Sequence, residues 1–194
     1  RELVAIAEER DALLVSDEVY DHFDFSGRFA SALAVDSDHR IVTSGFSKSL
    51  AITGFRVGYA ILPDPVLDAV RTRHMLTTIA ASRPAQYAVL AALDSTGPDY
   101  YADARATLRE RIAAFTDALD DIGADYSDPE GAFYVLARFP EFPGTMANAK
   151  RLVDEAGVAG MPGDTFGDAR SEWLRFALVT PRADVAAERL ADYF

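Results

Sequence analysis

The chain reads as an α/β protein: part of a mainly parallel sheet with flanking helices, followed by a smaller C-terminal α+β domain. Three observations predict this. Short apolar runs closed by turn residues recur at 13–15, 41–43 and 57–62, the pattern of strands buried in a sheet. Helical periodicities flank these runs, as expected where helices cover a sheet. At Ser95-Thr96-Gly97-Pro98 the pattern breaks and a different alternation begins, which divides the chain into 1–97 and 98–194.

Taken in order, Leu3, Ile6 and Ala7 fall on one helical face, and Leu13-Leu14-Val15 then runs into Ser16-Asp17-Glu18 as a buried strand. Ile41-Val42-Thr43 leads to Ser44-Gly45 as a second strand, and Val57 to Leu62, closed by Pro63, is a third. Asp64 can cap a helix carrying Val66, Leu67, Val70 and Met75, and a further helix covers Ala85 to Leu93. Beyond the break, Leu108, Ile112, Phe115 and Leu119 recur at helical spacing from about Tyr100 onward, with Gly123 as the stop. A strand at 132–136, a helix near Met146 to Ala156, strands at 158–161 and 173–179 and a last helix to Tyr193 complete the small domain.

Composition bounds the chemistry. A length of 194 residues with 49% apolar content is ample for a packed core. The net charge of -12 opposes nucleic-acid binding, which needs clustered cations to displace counterions from phosphates. No apolar run approaches the roughly 20 residues that span a bilayer, no charged-then-apolar leader opens the chain, and a cytoplasmic protein is expected. With no cysteine and three scattered histidines, disulfides and thiolate metal sites are excluded and a histidine metal site is not expected. Lys48 and Lys150 are the only lysines among 19 cationic side chains, set against 31 carboxylates. That balance suits a salt-rich cytoplasm, where screening favours a dense carboxylate surface, and equally an ordinary acidic protein of a GC-rich genome.

Three charged residues fall where strands end, the place at which α/β sheets bind ligands: Asp17 after the first strand, Lys48 after the second and Arg56 before the third. Singly, each has a plain structural reading as a turn cap, a surface charge or an ion-pair partner. Together they point to one site. In a chain almost without lysine, Lys48 sits within Ser44-Gly45-Phe46-Ser47-Lys48 beside a strand end. A lysine amine held in a partly desolvated pocket near a second cation loses its proton more readily and can form a Schiff base with a carbonyl.

The segment Ser44 to Tyr59, SGFSKSLAITGFRVGY, resembles the cofactor-lysine segment of class I/II aminotransferases. Ser16-Asp17-Glu18-Val19-Tyr20 resembles the family's strand-end motif, and Pro129 to Tyr134 its entry to the small domain. Pro162-Gly163-Asp164-Thr165-Phe166-Gly167 is similar to a later loop, and Trp173-Leu174-Arg175-Phe176-Ala177 to the last functional strand. Five motifs in order cover nearly the whole chain.

The resemblance implies a fold type I transferase dependent on pyridoxal 5'-phosphate, moving an amino group between an α-amino acid and a 2-oxo acid. Lys48 would carry the cofactor and then act as the base that moves the Cα proton. It implies that Asp17 faces the pyridine nitrogen, that Tyr20 bonds the phenolic oxygen and that Arg56 grips the phosphate. Ser47 would be a further phosphate contact, and Gly45 stands where the family often has serine, so that a backbone N–H could substitute. Arg175 would bind the substrate carboxylate bidentately.

The same resemblance implies that the chain is the C-terminal half of a longer enzyme, inactive alone and a homodimer when complete. Two other readings share the motifs: a β-lyase acting on sulfur amino acids, and the sensing domain of a transcription regulator.

Overall fold

The computed structural model describes all 194 residues, and the chain divides into two compact units, Arg1–Tyr101 and Ala102–Phe194. In the first, α1 (Glu2–Glu9) precedes β1 (Leu14–Asp17), and β2 (Arg40–Gly45) runs into the single turn α2 (Phe46–Ser49). A 3-10 turn at Thr53–Phe55 then leads to β3 (Gly58–Ile61), followed by α3 (Asp64–Thr77) and α4 (Arg83–Ser95). The sheet order is β1-β2-β3. β1 and β2 are parallel, with Asp17 opposite Thr43.

β3 returns antiparallel to β2, with Gly45 opposite Gly58 and Val42 opposite Ile61. The reason is the connection. Residues 46–57 form two short turns and no crossover helix long enough to carry the chain back to the far end of the sheet.

Several local expectations shift. The buried face of α1 is Val4 and Ala7, whereas Leu3 and Ile6 are 66% and 54% exposed. The run at 13–15 is buried on one side only: Leu14 and Ser16 are half-buried while Leu13 and Val15 are exposed, so β1 alternates as a one-face strand does. Asp64 is the first residue of α3, with Pro63 at the cap position and Pro65 next. It complements the helix dipole and makes no side-chain cap bond.

The helix α5 (Pro98–Asp121) carries the chain into the second unit, ending two residues before Gly123. There β4 (Asp125–Tyr126), β5 (Tyr134–Arg138), α6 (Met146–Ala156), β6 (Met161–Pro162), β7 (Leu174–Ala177) and α7 (Ala183–Tyr193) follow. The sheet is antiparallel, in the order β4-β5-β7-β6. The helical stripe read from sequence is the core stripe: Leu108, Ile112, Phe115 and Leu119 are all buried. They join Val135, Ala137, Leu174 and Phe176 from the sheet, with the Phe115 and Phe176 rings 5.3 Å apart. Burying such side chains stabilises the unit by roughly 1.5–3 kcal/mol each. The strand expected at 158–161 is short, pairing only at Met161 and Pro162.

Because β5 and β7 alternate, the residues opposite the core face are also set. Leu136 pairs with Arg175 and Tyr134 with Ala177, so Tyr134 and Arg175 share the face turned away from Val135 and Phe176.

Candidate active site

Parallel pairing puts the C-terminal ends of β1 and β2 at one edge of the first sheet, and the antiparallel β3 begins at that edge. Topology therefore gathers Asp17, the Gly45–Lys48 turn and Arg56, far apart in sequence, without any long-range search by loops. A cavity of about 300 Å³ opens there, lined by Asp17, Thr43, Ser44, Ser47, Arg56 and Gly58 among others. Of the residues to which the sequence points, Asp17, Ser47 and Arg56 line it and Lys48 and Tyr20 do not. Thr43, Ser44 and Gly58, inconspicuous until strand register is known, also line it.

The turn after β1 is held by a residue to which the sequence assigned no role. Glu18 is buried, and its Oε1 accepts the Ser16 hydroxyl at 3.0 Å and the Ala32 N–H at 2.9 Å. Its own backbone N–H donates to the Thr43 carbonyl, and its carbonyl accepts the Ser44 hydroxyl. So anchored, the turn presents Asp17 outward, where its Oδ1 accepts the Val19 N–H at 3.2 Å.

Lys48 lies in α2, half-buried, with its Nζ 5.8 Å from the centroid of the Tyr20 ring. The two residues expected to address the same end of a cofactor are thus neighbours across the β1 and β2 turns. Arg56 is held at φ +55°, in the left-handed region, a conformation that non-glycine residues adopt at a cost of about 1 kcal/mol or more. Its Nη1 donates to the Thr53 carbonyl at 2.9 Å and reaches the Ser47 hydroxyl at 3.4 Å, while the Thr53 hydroxyl donates to the Ser47 carbonyl. These bonds tie the arginine to the lysine turn.

The charges matter more than the bonds. Neither Asp17 nor Arg56 forms an ion pair, although both line the same cavity. One carboxylate and one guanidinium, each uncompensated, match a ligand with a cationic ring nitrogen and an anionic phosphate. Pyridoxal phosphate has both, and a carbonyl for an amine such as that of Lys48. The donor set therefore fits the expected cofactor.

Arg175, on β7 of the second unit, also lacks a carboxylate partner. Its guanidinium carbon lies 4.3 Å from the Tyr134 ring centroid and 4.6 Å from that of Phe166, and its Nη2 donates to Met161 Sδ at 3.4 Å. Arg138 pairs with Asp125 and lies over the Trp173 ring, and Arg83 lies over Tyr87.

The profile of the family described as "Aminotransferase class I and II" matches residues 1–191. The aspartate aminotransferase of Thermotoga maritima is 35% identical over 193 residues, 98% of this chain and 50% of the relative. The aspartate/prephenate aminotransferase of Thermus thermophilus is 34% identical over 97% of this chain and 50% of its own length. Among solved structures, the Thermus thermophilus aspartate aminotransferase single mutant superposes with a TM-score of 0.89 at 32% identity, over 99% of this chain and 51% of that one. The chain thus spans about half the length of the curated relatives it matches.

Proposed function

The chain belongs to the class I and II aminotransferases, a family dependent on pyridoxal phosphate, and on that premise we propose that it supplies the cofactor-anchoring and carboxylate-binding residues of a transaminase. The whole protein would move an amino group from an α-amino acid to a 2-oxo acid. The observation that carries this reading is that Asp17 and Arg56, neither with an ion-pair partner in this chain, line one cavity together with Ser47, the residue that precedes Lys48 in the turn Phe46–Ser49.

In this reading residues 1–97 are the C-terminal part of the cofactor-binding domain and 98–194 the small domain. Pyridoxal phosphate supplies, once bound, an electron sink for negative charge at the substrate Cα. The side chains do the rest. Lys48 would hold the cofactor through Nζ, and its free amine would be the base that takes and returns the Cα proton. Asp17 would keep the ring nitrogen protonated, and Tyr20 would donate to the phenolic oxygen. Arg56 and the Ser47 hydroxyl hold the phosphate, the guanidinium fork matching its oxygens. Arg175 takes the substrate carboxylate.

The two relatives described above are named for aspartate or for aspartate and prephenate, so aspartate with 2-oxoglutarate is the first pair to assay. The relatives give no support to the lyase or regulator readings. Homodimer formation and a cytoplasmic location complete the proposal. Both rest on the resemblance. No helix is long and apolar enough to cross a membrane.

The test is the visible spectrum of the whole protein with pyridoxal phosphate, before and after borohydride, beside Lys48→Ala. Covalent retention of the cofactor on the Lys48 peptide, absent in the variant, supports the assignment. Equal trapping in Lys48→Ala, or no cofactor binding, defeats it.

A further inference from the structure

Arg175 is surrounded in an unusual way for an arginine on a half-buried sheet face. Its three close partners, Tyr134, Phe166 and Met161, are all uncharged and soft. A carboxylate neighbour would have fixed the guanidinium more tightly, but an incoming anion would then have to displace it. Aromatic faces hold a guanidinium through their negative quadrupole and leave its N–H edge available.

Phe166 makes the point sharply. It is 44% exposed and contributes to no core, yet its ring lies 4.6 Å from the Arg175 guanidinium. The loop that carries it is pinned. Gly163 packs so closely on the Arg170 and Trp173 carbonyls that any Cβ there would collide with them, and its N–H donates to the Gly144 carbonyl. The 3-10 turn Gly163–Phe166 consequently delivers the ring to one place. Tyr134 arrives independently, from the strand neighbouring β7 and on the same sheet face as Arg175.

We propose that Phe166 and Tyr134 are positioning residues that clamp the Arg175 guanidinium between aromatic rings, ordering it for carboxylate binding while leaving its charge uncompensated. The inference deepens the proposed function and rests on Arg175 being the carboxylate-binding residue. Ordering the side chain beforehand removes an entropic cost from substrate binding, so the clamp acts on affinity and leaves the chemical step alone.

The experiment uses the whole holoenzyme and four variants: Phe166→Leu, Phe166→Tyr, Arg175→Ala and the Phe166→Leu/Arg175→Ala double. The affinity of an α-methyl amino acid, which carries the carboxylate but no Cα proton, is measured by calorimetry, together with KM and kcat for the amino donor. Phe166→Leu is expected to raise Kd and KM about tenfold with kcat changed by less than about twofold, and Phe166→Tyr to restore the parent values. In the Arg175→Ala background, Phe166→Leu is expected to add nothing. Tyr134→Leu gives the same readout should Phe166→Leu not fold. An unchanged Kd in Phe166→Leu, where Arg175→Ala does weaken binding, overturns the clamp and leaves the carboxylate assignment standing. Equal losses from Phe166→Leu in both backgrounds also overturn it, since the ring would then act through the fold. An unchanged Kd in Arg175→Ala removes the carboxylate assignment itself, and the clamp with it.

Discussion

Gly58 faces Gly45 across the β2–β3 ladder, so near that a Cβ on Gly58 would lie 2.8 Å from the Ser44 carbonyl oxygen. Gly45 leads into the lysine turn, Gly58 follows Arg56 by two residues, and both line the cavity.

Gly58→Ala is therefore expected to push β3 from β2, lowering stability by about 1–3 kcal/mol, the usual cost of overpacking. Urea unfolding of the whole protein measures the stability loss, and spectral titration the accompanying loss of cofactor affinity. A variant matching the parent in both would show that the strand spacing is not critical.

Arg56→Ala should weaken pyridoxal phosphate binding by about 1.5–3 kcal/mol, the range for a hydrogen bond to a charged group. Unphosphorylated pyridoxal should lose far less. Titrating both ligands separates a phosphate contact from general damage, because equal losses would mean that Arg56 acts only on the fold.

For Asp17→Asn the expected loss is in turnover, on the order of 100-fold or more, because a neutral amide cannot hold the ring nitrogen protonated. Steady-state kinetics with Asp17→Glu as the conservative comparison reads it. Full turnover in the amide variant would remove Asp17 from the site.

Stability should depend on pH through the α6–α7 contact. The Glu155 carboxylate accepts the Tyr193 hydroxyl at 2.7 Å and the Arg151 Nε–H at 3.0 Å, and these bonds hold its pKa below the ordinary 4.5. A folded-state pKa that is lowered gives stability above the unfolded value and loses it as pH falls through the folded one. Burial first, and the bond to Glu155 second, push Tyr193 above its ordinary 10.0. That contribution is complete below pH 10 and lost as pH rises through the folded value. Tyr193→Phe should therefore lower Tm most between about pH 5 and pH 9, with the gap from the parent closing outside that window. A gap independent of pH would discount the contact.

With a net charge of -12, the whole surface should respond to salt. Tm is expected to rise from about 0.05 to about 1 M salt as self-repulsion is screened, and a flat or falling Tm would count against a destabilising carboxylate surface.

Much of this was legible beforehand. The stripe Leu108, Ile112, Phe115 and Leu119 lies on a long helix and is wholly buried, because a 3.6-residue period leaves only one face to cover. The turns bearing Asp17, Lys48 and Arg56 were recognisable because their residue types and spacing are unusual in a chain with two lysines. The buried faces of α1 and β1 are not legible in the same way. Leu3, Ile6, Leu13 and Val15 announce hydrophobic surface, but local pattern says nothing of which surface another element reaches.

By itself, then, the sequence determined the family motifs, most of the helices and strands and the identity of the charged groups, since these follow from residue type and local spacing, whereas the short strand β4 has no local signal of its own. The direction of β3, the anchoring of the Asp17 turn by Glu18, the Gly45–Gly58 approach and the two rings on Arg175 came only with tertiary structure. Each of these joins residues distant in sequence, and strand register, which local propensity does not encode, decides which of them meet.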